Sequence, residues 1–153
     1  MSTVTIRDAI ASDEPRWREL WRGYCDFYQT DMPDDVTNAT WRRILDPDVS
    51  HFGSIVAEQD GRLVGFANYV LHPYTWSTGE QCYLNDLFVD PEIRSGGIGH
   101  DLISFLQRRG AAQGWTRIHW LTHETNARAR RLYDRFTPPS GFIQYVIPVK
   151  DEK

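Results

Sequence analysis

The chain has 153 residues, which fits a single domain spanning 1–153 and leaves little room for two. With 41% hydrophobic and 25% charged residues it reads as a globular chain, and a formal net charge of −4 excludes the basic footprint of a nucleic-acid binder. Cys25 and Cys82 form no CxxC pattern, as expected of reduced thiols in a cytoplasmic protein, and the opening MSTVTIRDAIASDE lacks the apolar run of a signal peptide or membrane anchor.

TVTIRDA alternates in polarity and predicts a first strand. Trp17, Leu20, Trp21, Tyr24 and Tyr28 then recur at helical spacing, with Ser12 or Asp13 as cap and Pro15 in the first turn. MPDDVTNATWRRILDP predicts a second, shorter helix ended at Pro47. HFGSIVAEQDGRLVGFANYVLH is two β-rich runs around Asp60-Gly61, a hairpin signal. CYLNDLFV is a further strand, and SGGIGHDLISFLQRRGAAQG a helix with a buried face of Ile98, Leu102, Phe105 and Leu106. TRIHWLTH predicts a strand, NARARRLYDRF a helix and GFIQYVIPV a closing strand. The order β-α-α-β-β-β-α-β-α-β implies an α/β sandwich, a mixed and mostly antiparallel sheet of six to seven strands with helices on both faces.

The turn RSGGIG lies between a strand and a helix. The first turn of a helix has N–H groups without internal partners, and the macrodipole adds partial positive charge there. Gly96, Gly97 and Gly99 remove the side chains that would keep an anion away, and Arg94 adds a guanidinium. The alternative is a tight turn with no ligand. The turn lacks the Gly-Lys-Ser/Thr ending of a P-loop, and its glycine spacing is wrong for a dinucleotide fingerprint.

Further on, Asn126 and Tyr133 stand seven residues apart, two helical turns or about 10.5 Å along one face, with Ala129 between them. Asn126 could equally be a helix-start residue and Tyr133 a core residue.

The pattern Arg94-Ser95-Gly96-Gly97-Ile98-Gly99 matches Q/R-x-x-G-x-G/A and, with YLNDLFVDPEI before it, resembles the acetyl-CoA loop of the GNAT N-acetyltransferase superfamily. ThrXXXAsn followed by ARARRLYDRF is similar to that family's second motif, and CYLNDLFV with ETNARARRLYD looks most like its polyamine and histone branch, which includes spermidine/spermine acetyltransferases. The resemblance implies transfer of acetyl from acetyl-CoA to a primary amine: a small polyamine-like amine, an amino-acid derivative or a lysine side chain. It implies that Leu87, Phe88, Val89, Arg94, Ser95, Gly96, Gly97, Ile98, Gly99 and His100 contact the cofactor. Asn126 would hold its pantetheine arm, Arg130 a phosphate, and Tyr133 would protonate the leaving thiolate.

An alkyl ammonium has a pKa of about 10.4, so a carboxylate, or water held by one, must take its proton. Related polyamine enzymes read LEDLF where this chain reads LNDLF, so Asn85 stands in place of a glutamate that Asn cannot replace as a base. Asp86 is the best remaining carboxylate, with Glu80, Glu124 and His123 as looser alternatives. Asn85, Tyr28, Trp76 and Glu124 are candidate acceptor contacts. Trp41, His72, Tyr74 and Trp76 would form an aromatic wall, or else simply anchor their own loop. His119 and His123 lie on an apolar β-like run, too far apart to share a metal, so none is expected. The apolar closing strand predicts a homodimer through strand pairing. A non-catalytic CoA-binding sensor module and a protein lysine acetyltransferase are the rival readings.

Overall fold

Asp60 and Gly61 both take positive φ, 53° and 77°. That is the geometry a two-residue hairpin turn needs to match the twist of its strands. The turn joins β2 (Phe52–Gln59) to β3 (Arg62–His72), as the Asp-Gly signal predicts. The structure is a computed structural model that describes residues 3–93 and 96–150. Its other elements are β1 (Val4–Asp8), a 3-10 turn (Ala11–Asp13), α1 (Glu14–Phe27), α2 (Asp34–Leu45), β4 (Gln81–Val89), α3 (Ile98–Gln113), β5 (Arg117–His119) and α4 (Ala127–Tyr133). The chain divides into two compact units, one ending at Leu121 and the other beginning at Thr122.

The first unit holds a five-stranded sheet in the order β1-β2-β3-β4-β5. The first four strands pair antiparallel, and β5 joins β4 in parallel. Helices cover both faces. On one face Trp17 of α1 is fully buried, donates from Nε1 to Ser54 Oγ at 3.4 Å and packs on Phe66, with Trp21, Cys25 and Trp41 around it. On the other face Arg109 of α3 donates to the Tyr69 hydroxyl at 3.0 Å, one residue out of phase with Phe66 and Asn68 on β3. Ile98, Leu102, Ile103 and Leu106 of α3 are buried, each side chain contributing about 1.5–3 kcal/mol.

Several expectations change. Phe105 is only half-buried, with the Arg109 guanidinium 4.8 Å from its ring centre, and Ile103 takes its place inside. Neither Ser12 nor Asp13 caps α1 by its side chain. The Asp13 carboxylate instead accepts from the Ile10 N–H at 2.8 Å and pairs with Arg7. The strand expected over 116–123 is formed only at Arg117–His119. The segment 142–149, expected as the closing strand that would pair across subunits, has no ladder partner among the described residues. Alternation makes such a segment capable of a strand, but a strand exists only where a neighbour completes its hydrogen bonds.

Candidate active site

The site is built on β4. Its pairing with β3 runs Val89 to Gly65, Phe88 to Phe66, Leu87 to Ala67 and Asp86 to Asn68, then jumps from Asn68–Asp86 to Tyr69–Leu84. Asn85 is therefore the extra residue of a β-bulge and is exposed. On its far side β4 pairs with β5 only at Gln81, Cys82 and Tyr83. The Asp90 N–H bonds the Val64 carbonyl on β3 at 2.8 Å. Backbone groups alternate along a strand, so the N–H groups of Leu87 and Val89 point the other way, to the edge without a ladder partner among the described residues. The Phe88 side chain is committed to the core, against Phe66 and Tyr24.

Alternation from Phe88 puts Asp86 on the α1 face beside Asn68, and the bulge then brings Tyr83 to the same face. Asn68, 1% exposed, donates from Nδ2 to Asp86 Oδ2 at 3.1 Å, and the Tyr24 hydroxyl bonds the same carboxylate. Burial raises the Asp86 carboxyl above its ordinary value, and the bonds from Tyr24 and Asn68 offset part of that rise. The same charge reaches outward. Burial first, and Asp86 second, raise the hydroxyls of Tyr24, Tyr28 and Tyr83 and the thiol of Cys25. Tyr28 meets Tyr24 with ring centres 4.9 Å apart, which brings this expected acceptor contact to the edge of the cluster. A half-buried carboxylate beside aromatic rings and neutral hydroxyls suits an alkyl ammonium.

The glycine turn opens α3. Gly97 is the helix N-cap at φ 106°, with no side-chain cap, and a Cβ built on Gly96 or Gly97 would meet nothing within 4 Å. The turn thus presents open backbone at a helix start, a cradle that fits a diphosphate. Arg94 and Ser95, expected to share that role, lie outside the described residues. His100, on the first turn of α3, has Nδ1 3.4 Å from Ser104 Oγ.

In the second unit Asn126 sits at the N-cap of α4 rather than inside the helix, its Oδ1 accepting from the Ala129 N–H at 3.2 Å. Its Nδ2 donors are not used by that cap. Arg130 donates to the Glu124 carbonyl at 2.8 Å, and Tyr133 is the last residue of α4. Trp41 leaves the expected aromatic wall. It is 4% exposed and lies 4.9 Å from Trp17, because α2 turns it into the core. Trp76 is 84% exposed beside Tyr74, whose ring receives the Arg117 guanidinium at 4.8 Å. Among the described residues, no group of three or more His, Cys, Asp or Glu is placed to hold a metal. No helix among them is long and apolar enough to cross a membrane.

Residues 14–137 match the Acetyltransferase (GNAT) family. The chain belongs to the GNAT family. It is thereby an N-acetyltransferase, as are its named relatives. It is 34% identical over 143 residues to the D-amino-acid N-acetyltransferase of Saccharomyces cerevisiae, covering 93% of this chain and 89% of that one. It is 29% identical over 137 residues to the aminoglycoside N(6')-acetyltransferase type 1 of Salmonella typhimurium, covering 85% and 88%. Among solved structures, the aminoglycoside N-acetyltransferase AAC(6')-Iy in complex with CoA superposes with a TM-score of 0.75 at 25% identity, covering 100% of this chain and 96% of that one.

Sequence reasoning on this GNAT domain missed the two partners of Asp86, and it named His72 and His119 without pairing them. Tyr24 looked like one more core aromatic at helical spacing. Asn68 looked like an ordinary strand residue, although a polar residue midway along an apolar strand is the available signal. His72 and His119, 47 residues apart, are joined by their Nε2 atoms at 2.9 Å.

Proposed function

We propose that this chain moves an acetyl group from the thioester of acetyl-CoA to a primary amine, and that the first amine to test is the α-amino group of an amino acid. The observation that carries this reading is the edge of β4 without a ladder partner among the described residues, which offers the Leu87 and Val89 N–H groups near the half-buried Asp86 carboxylate. Polar donors fixed along an edge of this kind favour an oxyanion developing on a thioester carbonyl. The open turn at Gly96 and Gly97 supports a place for the cofactor diphosphate.

In this reading the Asp86 carboxylate attracts the ammonium and takes its proton, a role its raised carboxyl value suits. The neutral amine attacks, the carbon–nitrogen bond forms, the carbon–sulfur bond breaks, Tyr133 gives its proton to the departing thiolate, and the second proton that the nitrogen sheds on becoming an amide returns to the Tyr133 phenolate through solvent. The similarity to a D-amino-acid N-acetyltransferase over most of both chains supports an amino-acid acceptor above a polyamine. The Asn85 substitution in the LNDLF stretch points the same way, since it removes one negative charge that a polycation would meet.

The experiment is acetyl-CoA turnover, read as released thiol and by mass of the product, on D- and L-amino acids, thialysine, an aminoglycoside, spermidine and a lysine peptide. Acetylated amino acid as the best product supports the proposal. Coenzyme A binding with no thiol released on any amine overturns it in favour of a binding module, and a peptide preferred over every free amine overturns the small-molecule acceptor.

A further inference from the structure

His72 ends β3 and His119 ends β5, with β4 between them. Their Nε2 atoms are 2.9 Å apart, and their rings meet edge to face at 5.2 Å. The Nδ1 atom of His72 lies 2.8 Å from the Pro73 carbonyl oxygen. A carbonyl only accepts, so His72 Nδ1 carries a proton. A neutral His72 therefore has its lone pair at Nε2, and the proton between the two rings belongs to His119 Nε2. The lone pair of a neutral His119 is then at Nδ1. The two contacts together set both tautomers.

The pair shares a sheet face with Asp86. On β3, Asn68, Val70 and His72 have the same parity. Asn68 is opposite Asp86, Val70 is opposite Tyr83, and Tyr83 is opposite His119. Two positions along β3, spanned by three residues of bulged β4, and one strand across place the His119 backbone about 8 Å from that of Asp86. Tyr83 bridges that gap: its ring stacks on His119 at 4.9 Å and 22°, and it feels the Asp86 charge. His119 also stands where β5 stops pairing with β4, at the head of the edge that has no ladder partner among the described residues.

On the reading of this chain as an amine acetyltransferase, we infer that His119 and His72 form the proton outlet of the acceptor site. The proton that the ammonium yields at Asp86 crosses water to His119 Nδ1. The Nε2 proton of His119 moves to His72 Nε2, and His72 releases its Nδ1 proton at the rim beside Pro73. Each transfer returns a neutral pair in the exchanged tautomers, which rotation or exchange with solvent resets. One proton leaves per acetyl transferred, and no oxidant or metal enters.

The groups facing His119 are His72 from β3, Tyr83 from β4 and Arg117 from its own strand. Burial, His72 and Arg117 all hold its pKa below the ordinary histidine value, so it stays neutral and receptive at neutral pH. The acidic limb of kcat/KM then lies below the ordinary histidine range, and removal of His72 moves it upward.

Three measurements test this. Heteronuclear NMR of the wild-type rings should find His72 protonated at Nδ1 and His119 at Nε2; the opposite tautomers overturn the relay whatever the activity. His119→Gln should lower kcat/KM at pH 7 at least tenfold while coenzyme A affinity stays within twofold, with recovery in added imidazole. His72→Gln should also lower kcat/KM at pH 7 and shift the acidic limb up. A His119→Gln enzyme that matches wild type in rate and pH profile sinks the relay alone. A wild-type protein that acetylates no amine sinks the functional reading, and the relay falls with it.

Discussion

Gly96 and Gly97 are adjacent, both open to solvent at Cβ, and Gly97 has φ 106°. A glycine substitution usually mixes two effects, backbone strain and a blocked approach, and two assays separate them here. Gly97→Ala forces an L-residue into a conformation that costs about 1–3 kcal/mol. At about 2–4 °C per kcal/mol for a chain of this size, a 2 kcal/mol cost lowers Tm by about 4–8 °C. A Cβ at Gly96 meets nothing within 4 Å, so Gly96→Val should leave Tm within about 2 °C of wild type. Its isopropyl group nevertheless stands where the diphosphate would approach the backbone donors at the start of α3. Losing one charge-assisted hydrogen bond at about 1.5–3 kcal/mol weakens coenzyme A by about 10- to 100-fold. Differential scanning calorimetry reads the first quantity and titration calorimetry with coenzyme A the second. Gly96→Val binding coenzyme A with wild-type affinity would refute the anchor, since nothing else in its surroundings explains such tolerance.

Asp86→Asn should reduce turnover at least about 100-fold if the carboxylate takes the amine's proton, measured by thiol release. The same substitution should raise Tm at pH 7. Burial raises the folded-state value of this carboxyl, so its stabilising contribution is present below the unfolded value of 3.8 and is lost as pH rises through the folded value. The Tm gap between variant and wild type should narrow as pH falls toward 3.8, and a variant less stable than wild type at pH 7 contradicts the reasoning. Tyr133→Phe should lower kcat by about 100-fold or more with coenzyme A affinity within threefold; an unchanged kcat removes the acid role. Trp41→Phe should lower Tm by roughly 2–8 °C, for a loss of about 1–2 kcal/mol, and leave the acceptor KM alone. A raised KM would return Trp41 to the acceptor wall.

The local parts of this fold were legible because each is governed by neighbours in sequence. Asp60-Gly61 demanded its hairpin, and Pro47 with the residue before it closed α2 at Leu45. The glycine turn announced itself by composition. What depends on distant partners was not legible. The apolar run 142–149 has the period of a strand, but whether a ladder forms is decided by a neighbour the run does not name. Trp41 looked available because a helix pattern does not say which side meets the sheet. The bulge at Asn85 is silent in sequence, since an extra residue leaves no mark until β3 is laid against it. Asp86 could be nominated as a carboxylate, yet its clamp by Tyr24 and Asn68 joins three elements, α1, β3 and β4.

That extra residue has a consequence for how the chain tolerates change. Position 85 sits outside the β3 ladder and faces solvent, so neither register nor core packing constrains its side chain. A glutamate, an asparagine or a smaller residue there leaves the scaffold indifferent. The charge offered to an incoming acceptor is therefore adjustable at one point of β4 while the strand around it stays the same.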